Sequence, residues 1–337
     1  MFGLQSVTED LTTRLEKLTG QPAHPYLRRA IFHSQRDLSL LLDSYERKEP
    51  IFLYTGRGPS AAGLHLGHYV QFSFVRYLQR AFNCPLVIQL ADDEKLHAQK
   101  LSEEEAKRFT DTNLRELQAF DFLPSTFIFV NSQYRRTSQV YEAQVIKLRS
   151  LVSLKTLQSI FGFADTCSLA QVELPLYQIA PCFPSSLSDF IPANAHCLVV
   201  CGLDQDPYFR LARDLAPTLK VKKPAVIASG YLPALTGEEK MSSSAQVPHT
   251  IFLSDTPAQV KKKVQKYAFS GGGGDGSLKE HQRLGGNPLV DIPCRYLAYF
   301  ELDEERYQRL LKGFATGSVS CRETKEALIA KLSQLIK

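Results

Sequence analysis

Residues 51–68 read Ile51-Phe52-Leu53-Tyr54-Thr55-Gly56-Arg57-Gly58-Pro59-Ser60-Ala61-Ala62-Gly63-Leu64-His65-Leu66-Gly67-His68. Ile51 to Tyr54 is a short apolar run ending at a glycine-rich turn, and beyond it Val70, Phe74, Leu78 and Phe82 recur every four residues, as on one helix face. The order is strand, turn, amphipathic helix. Glycines in the turn let backbone approach a ligand closely, while the first N–H groups and the dipole of the helix favour an anion. Two imidazoles, His65 and His68, and the Arg57 guanidinium flank that place.

A His-x-Gly-His turn also fits a structural histidine pair or half a zinc site. The seven cysteines contain no C-x₂-C, and Cys197 and Cys201 lie on an apolar run, so no metal is expected. The second informative stretch is 175 residues on from His65, at Lys240-Met241-Ser242-Ser243-Ser244. An ammonium followed by three hydroxyls offers several donors to a polyphosphate.

Working outward, Pro85 to Leu90 is an apolar run of strand length, which completes a βαβ unit with parallel neighbouring strands. Phe127 to Val130, Cys197 to Val200 and Ala225 to Ala228 read as three more buried strands. Polar residues gather after the strands: Thr55 to Pro59, Asp92-Asp93-Glu94-Lys95, Gly202 to Gln205, and the lysine-serine loop. In an open α/β sheet that is where ligands bind. Residues 1–20 are expected to form a helix with a Ser6-x-x-Glu9 capping box and Gly20 at its end, and a second helix to start at Ser34 or Asp37. About 132–189 reads as a helical insertion covering the site or making a subunit contact, or as a plain helical layer on the sheet. Beyond residue 246 the pattern is helical, with Lys261, Lys262, Lys263 and Lys266 around Val260, Val264 and Tyr267 as a solvated or RNA-facing patch. Gly271 to Gly274 with Gly276 reads as a flexible connection. A last helix is expected from Ser320-x-x-Glu323 onward.

The 337 residues suffice for two domains, and a net charge of +5 with pI about 8.7 permits a nucleic-acid partner without demanding one. No apolar run approaches membrane-spanning length, and the odd, scattered cysteines fit a reducing compartment, which makes the cytoplasm the expected location. Tryptophan is absent.

These blocks, together with Thr19-Gly20-Gln21, Leu27-Arg28-Arg29, Phe161-Gly162-Phe163, Asp204-Gln205-Asp206-Pro207-Tyr208-Phe209-Arg210 and Ala268-Phe269-Ser270-Gly271-Gly272, resemble the class I aminoacyl-tRNA synthetases. The resemblance is greatest to the eukaryotic cytosolic tryptophanyl type and runs from about Leu15 to Leu335. It implies an α/β fold: a Rossmann-type parallel-sheet catalytic domain over 1–246 with the inserted helical segment, then a mainly α-helical anticodon-binding domain over 247–337. It implies activation of L-tryptophan with ATP and Mg²⁺, transfer to tRNA(Trp), and a homodimer, with no membrane or DNA partner. By the same resemblance His65, His68, Lys240, Ser242, Ser243 and Ser244 would act on the departing pyrophosphate. Gly56, Arg57, Gly58, Gly67, Lys95, Asp204 and Met241 would hold the nucleotide. Tyr54 or Gln89 would offer an acceptor to the indole N–H, which only donates. Glu94, Gln178 and Gln205 would hold the amino acid's charged ends, and Phe209 would pack on the ring or in the core. No appended N-terminal domain is seen, so roles tied to one are expected to be absent. The rivals are a tyrosyl-tRNA synthetase, a small nucleotidylyltransferase with its own His-x-Gly-His turn, and a non-catalytic synthetase-derived RNA-binding or signalling protein. Asp206 to Arg210 and Asp92 to Lys95 favour tryptophan.

Overall fold

A computed structural model describes residues 3–60, 63–97, 101–237, 241, 248–273 and 277–336, the side chains of Lys95 and His97 excepted. Two compact units result, one of Met1–Ala62 with Gln71–Gly230, the other of Gly63–Val70 with Tyr231–Lys337.

The first unit carries a seven-stranded sheet: β1 (Gln5–Ser6), β2 (Phe32–Arg36), β3 (Ile51–Arg57), β4 (Leu86–Leu90), β5 (Thr126–Val130), β6 (His196–Gly202) and β7 (Ala225–Ser229), in the order β1-β2-β7-β6-β3-β4-β5. β7, β6, β3, β4 and β5 run parallel, as their unbroken apolar runs imply, while β2 is antiparallel to both β7 and β1. The sheet is therefore mixed. The N-terminal helix is shorter than expected, Glu9–Thr19, because Ser6 lies in β1; Thr8 rather than Ser6 caps it, accepting from the Leu11 N–H at 3.3 Å. Likewise Ser34 lies in β2, and the second helix, Leu38–Glu46, starts after Asp37.

Register places the site. Tyr54 on β3 pairs with Val87 on β4, and Gly56 with Gln89. Alternate residues share a face, so Phe52, Tyr54 and Gly56 look one way with Val87 and Gln89. Residues 132–189 form a helical layer against that face: Tyr141, Val145 and Leu148 of Gln139–Leu151, Leu157 of Leu154–Phe161, and Val172, Leu176 and Ile179 of Leu169–Ile179 share one core with Phe52, Tyr54, Val87 and Phe129. Each such fully buried apolar side chain contributes about 1.5–3 kcal/mol.

In the second unit the helices Pro257–Tyr267, Ile292–Phe300, Glu304–Thr316 and Cys321–Leu335 bury Val260, Val264, Tyr296, Leu297, Phe314, Leu328 and Leu332. Ser320 and Glu323 form the expected capping box. The glycine run is a close-packed bridge at its start: Gly272 pairs with Gly286, and a Cβ on Gly271 would stand 2.7 Å from the Asn287 carbonyl oxygen. Gly274 and Gly276 lie outside the described residues.

Candidate active site

The histidine turn belongs to the second unit, where His65 bridges to Phe252 and Leu66 N–H donates to the Ile251 oxygen at 3.1 Å. His65 caps the helix Leu66–Phe82 with its own ring, Nδ1 accepting from the Gly67 N–H at 3.0 Å. His68 Nδ1 accepts from the His65 backbone N–H at 3.1 Å, and the rings stack with centroids 3.7 Å apart. Because both Nδ1 atoms accept from backbone, each neutral ring carries its proton on Nε2. The turn thus builds two Nε2–H donors of fixed sense. Gly67 is required here, since a Cβ would stand 2.9 Å from His65 Cε1. The Leu232 side chain lies 3.9 Å from the same point, and the Leu232 carbonyl accepts from the N–H of buried Met241 at 2.9 Å. Lys240, Ser242, Ser243 and Ser244 lie outside the described residues.

In the first unit Tyr54 and Gln89 are both 1 % exposed and joined, the Tyr54 hydroxyl lying 2.7 Å from Gln89 Oε1. The same hydroxyl lies 2.7 Å from the Gln178 carbonyl oxygen. It has one proton for two acceptors, so acceptor capacity is in surplus at this point. Burial pushes the Tyr54 phenol well above its ordinary pKa, which keeps that proton in place. Outward from this pair, the Gln178 side chain donates to Gln205 Oε1 at 2.7 Å. The Phe209 ring meets Tyr54 edge-on, centroids 6.1 Å apart, and is itself buried in the core.

Around the strand ends, a Cβ on Gly58 would fall 2.3 Å from Glu94 Oε2, so only glycine lets that carboxylate lie against β3. Asp204, exposed, folds over Gly202, where a Cβ would stand 2.8 Å from Oδ1. Arg57 Nε and Nη2 are buried without a hydrogen-bond partner among the described residues. Burial pushes this guanidinium down to about 10, against the opposing pull of Glu94 and then Glu116. A buried cation with idle donors is a place built for an anion. Among the described residues no three His, Cys, Asp or Glu side chains gather as a metal-ligand set.

Residues 46–337 match the family model of class I tRNA synthetases for tryptophan and tyrosine. The chain is 41% identical over 343 residues to the cytoplasmic tryptophan–tRNA ligase of Dictyostelium discoideum, covering 99% of this chain and 84% of that one. Against the cytoplasmic enzyme of Mus musculus it is 40% identical over 338 residues, 99% of this chain and 70% of the relative. The crystal structure of Plasmodium falciparum tryptophanyl-tRNA synthetase superposes with a TM-score of 0.92 at 40% identity, covering 99% of this chain and 90% of that one. This chain belongs to the class I tryptophan–tRNA ligases.

Within that family frame, the sequence-predicted residues fall into two groups. Tyr54, Gln89, Gln178, Gln205 and Phe209 come together in the first unit by direct contact. Lys95 lies in the helix Asp93–His97, its side chain undescribed. Tyr177, next to Gln178, turns its hydroxyl to Arg135, Arg149 and Glu142, with the Arg135 guanidinium 4.0 Å from the ring centroid. Its backbone oxygen accepts from Gln89 Nε2 at 3.1 Å. Sequence reasoning missed Asn131 and Tyr141, which hold the far side of Gln89. The available signal was position, for Asn131 follows the carboxyl end of β5 as the noted polar residues follow other strands.

Proposed function

We propose that this chain activates L-tryptophan with ATP to tryptophanyl-adenylate and pyrophosphate, then transfers the amino acid to the 3′ end of tRNA(Trp). The observation that carries the choice of amino acid is the surplus acceptor between Tyr54, Gln89 and the Gln178 carbonyl, which an indole N–H satisfies. A phenol would bring its own lone pairs into a place already rich in oxygen. In this reading Glu94 takes the ammonium of the substrate, and Gln178 and Gln205 help hold its charged end.

Attack of the carboxylate on the α-phosphorus moves negative charge toward pyrophosphate and needs no covalent enzyme nucleophile, so catalysis is positioning and electrostatic stabilisation. The donors for that charge are His65 and His68 through Nε2–H, Lys240, and Ser242, Ser243 and Ser244. The idle nitrogens of Arg57 fit a phosphate of the nucleotide, and Lys95 would bring a second cation to it; Gly56 and Gly58 admit the nucleotide, Met241 belongs to its binding set, and Asp204 suits the ribose. Mg²⁺ carried by the nucleotide would share the pyrophosphate charge.

Residues 247–337 would read the anticodon, and exposed Lys261, Lys262 and Lys266 suit an RNA backbone. Exposed Ile146, Leu154 and Leu169 on the 132–189 helices suit a homodimer contact. The cytoplasmic naming of the relatives supports a cytoplasmic location, and among the described residues no helix is long and apolar enough to cross a membrane.

Pyrophosphate exchange into ATP, run with tryptophan, tyrosine and no amino acid, tests the reading; exchange is expected with tryptophan only. Exchange with tyrosine would overturn the pocket assignment, and none with either would favour the non-catalytic reading. Arg57→Met keeps length and removes the charge. It should raise the ATP KM about 10–100-fold, the worth of a hydrogen bond to a charged group, and leave tryptophan binding in place. An unchanged ATP KM would remove Arg57 from the nucleotide site.

A further inference from the structure

Asn131 is 1 % exposed and opens the helix Asn131–Thr137 directly after β5. Its Oδ1 accepts from Gln89 Nε2 at 2.9 Å and from the Tyr141 hydroxyl at 2.8 Å. Its Nδ2 donates to Asp93 Oδ2 at 2.7 Å, and Arg135 Nη1 lies 3.5 Å from the same oxygen. The neighbouring carboxylate also grips this turn, Asp92 Oδ1 accepting from the Ser132 N–H at 2.9 Å.

The bonds have one consistent direction. An ionised carboxylate only accepts, so Asn131 must turn its NH₂ to Asp93 and its oxygen to Gln89. Gln89 must then turn its own NH₂ inward, where the Tyr177 carbonyl takes the second proton at 3.1 Å. Its oxygen is left facing Tyr54. With the amide reversed, an NH₂ group would meet the substrate's N–H, donor against donor.

We infer that Asp93 and Asn131 are positioning residues that set the acceptor sense of Gln89 and so make the site demand an N–H from its substrate. This rests on the reading of Tyr54 and Gln89 as the indole site. Neither residue touches the substrate in this assignment; both act through the Gln89 amide. Asp93 therefore does a different task from its neighbours Glu94 and Lys95 in the same short block.

The test compares kcat/KM in pyrophosphate exchange for L-tryptophan and for L-3-benzothienylalanine, in which sulfur replaces the N–H of an otherwise similar ring. Wild-type protein is set beside Asn131→Leu and Asp93→Asn. The second variant keeps the side-chain size and offers Asn131 either a donor or an acceptor, so it reads the relay even if Asn131→Leu does not fold. The preference for tryptophan over the sulfur analogue should shrink roughly tenfold in each folded variant, the worth of about one hydrogen bond. A merely structural role would lower both substrates together and leave the ratio unchanged, and that result would overturn the relay. A wild-type protein indifferent to the N–H would instead overturn the indole-site reading beneath it.

Discussion

Lys240→Ala is expected to slow tryptophanyl-adenylate formation by about 10²–10³ while leaving tryptophan binding nearly unchanged. The size follows from when the charge appears. In the ground state the leaving phosphates are already solvated and shared with Mg²⁺, whereas at the transition state extra charge develops on the bridging oxygen, and a preorganised ammonium is worth most there. The reason to assign that ammonium to the phosphates is the resemblance of Lys240 to Ser244 to the family's sequence; Met241, the next residue, is buried and its N–H donates to the Leu232 carbonyl, in the unit that also holds the histidine turn. Tryptophan recognition is expected to rest on Tyr54 and Gln89, which belong to the other unit. Single-turnover adenylate formation and equilibrium tryptophan binding, measured on the same variant, separate the two. Equal losses in both would remove Lys240 from the transition state.

Gln89→Leu should lower kcat/KM for tryptophan by about 10³, because the indole N–H would lose the Gln89 acceptor and meet apolar surface in its place. The same change takes a donor from Asn131 Oδ1 and from the Tyr177 carbonyl, so unfolding should also be about 1–3 kcal/mol easier. Benzothienylalanine, with no N–H to satisfy, should be affected far less than tryptophan. Parallel loss for both amino acids would mean that Gln89 only holds the fold.

The five parallel strands were legible because each is an apolar run flanked by turn residues, and the ligand-bearing ends followed from strand direction. β2 was not legible. Its sequence, Phe32-His33-Ser34-Gln35-Arg36, looks like a helix start or a loop, yet Ser34, Gln35 and Arg36 are buried. Two of them find distant partners: Gln35 Nε2 donates to Gln5, and Arg36 grips Asp206 through two bonds of 2.8 and 2.9 Å across 170 residues of sequence. No local periodicity encodes such a pairing. The histidine turn was legible as a motif, but the sense of its donors was not, since it depends on which backbone N–H each Nδ1 accepts. Asn131 and Tyr141 escaped for a similar reason: a buried amide and a buried phenol acquire meaning only through the directions of their bonds.

The chain contains fourteen tyrosines and no tryptophan, and the buried Tyr54 and Phe209 rings border the proposed indole site. The amino acid bound there would be the sole indole in the complex. Excited beyond phenol absorption, all emission would come from substrate, shifted to the blue as it leaves water, while excitation of Tyr54 would transfer to it over a few ångströms. The unlabelled protein is thus a dark optical background against which its own substrate reports arrival, activation and departure.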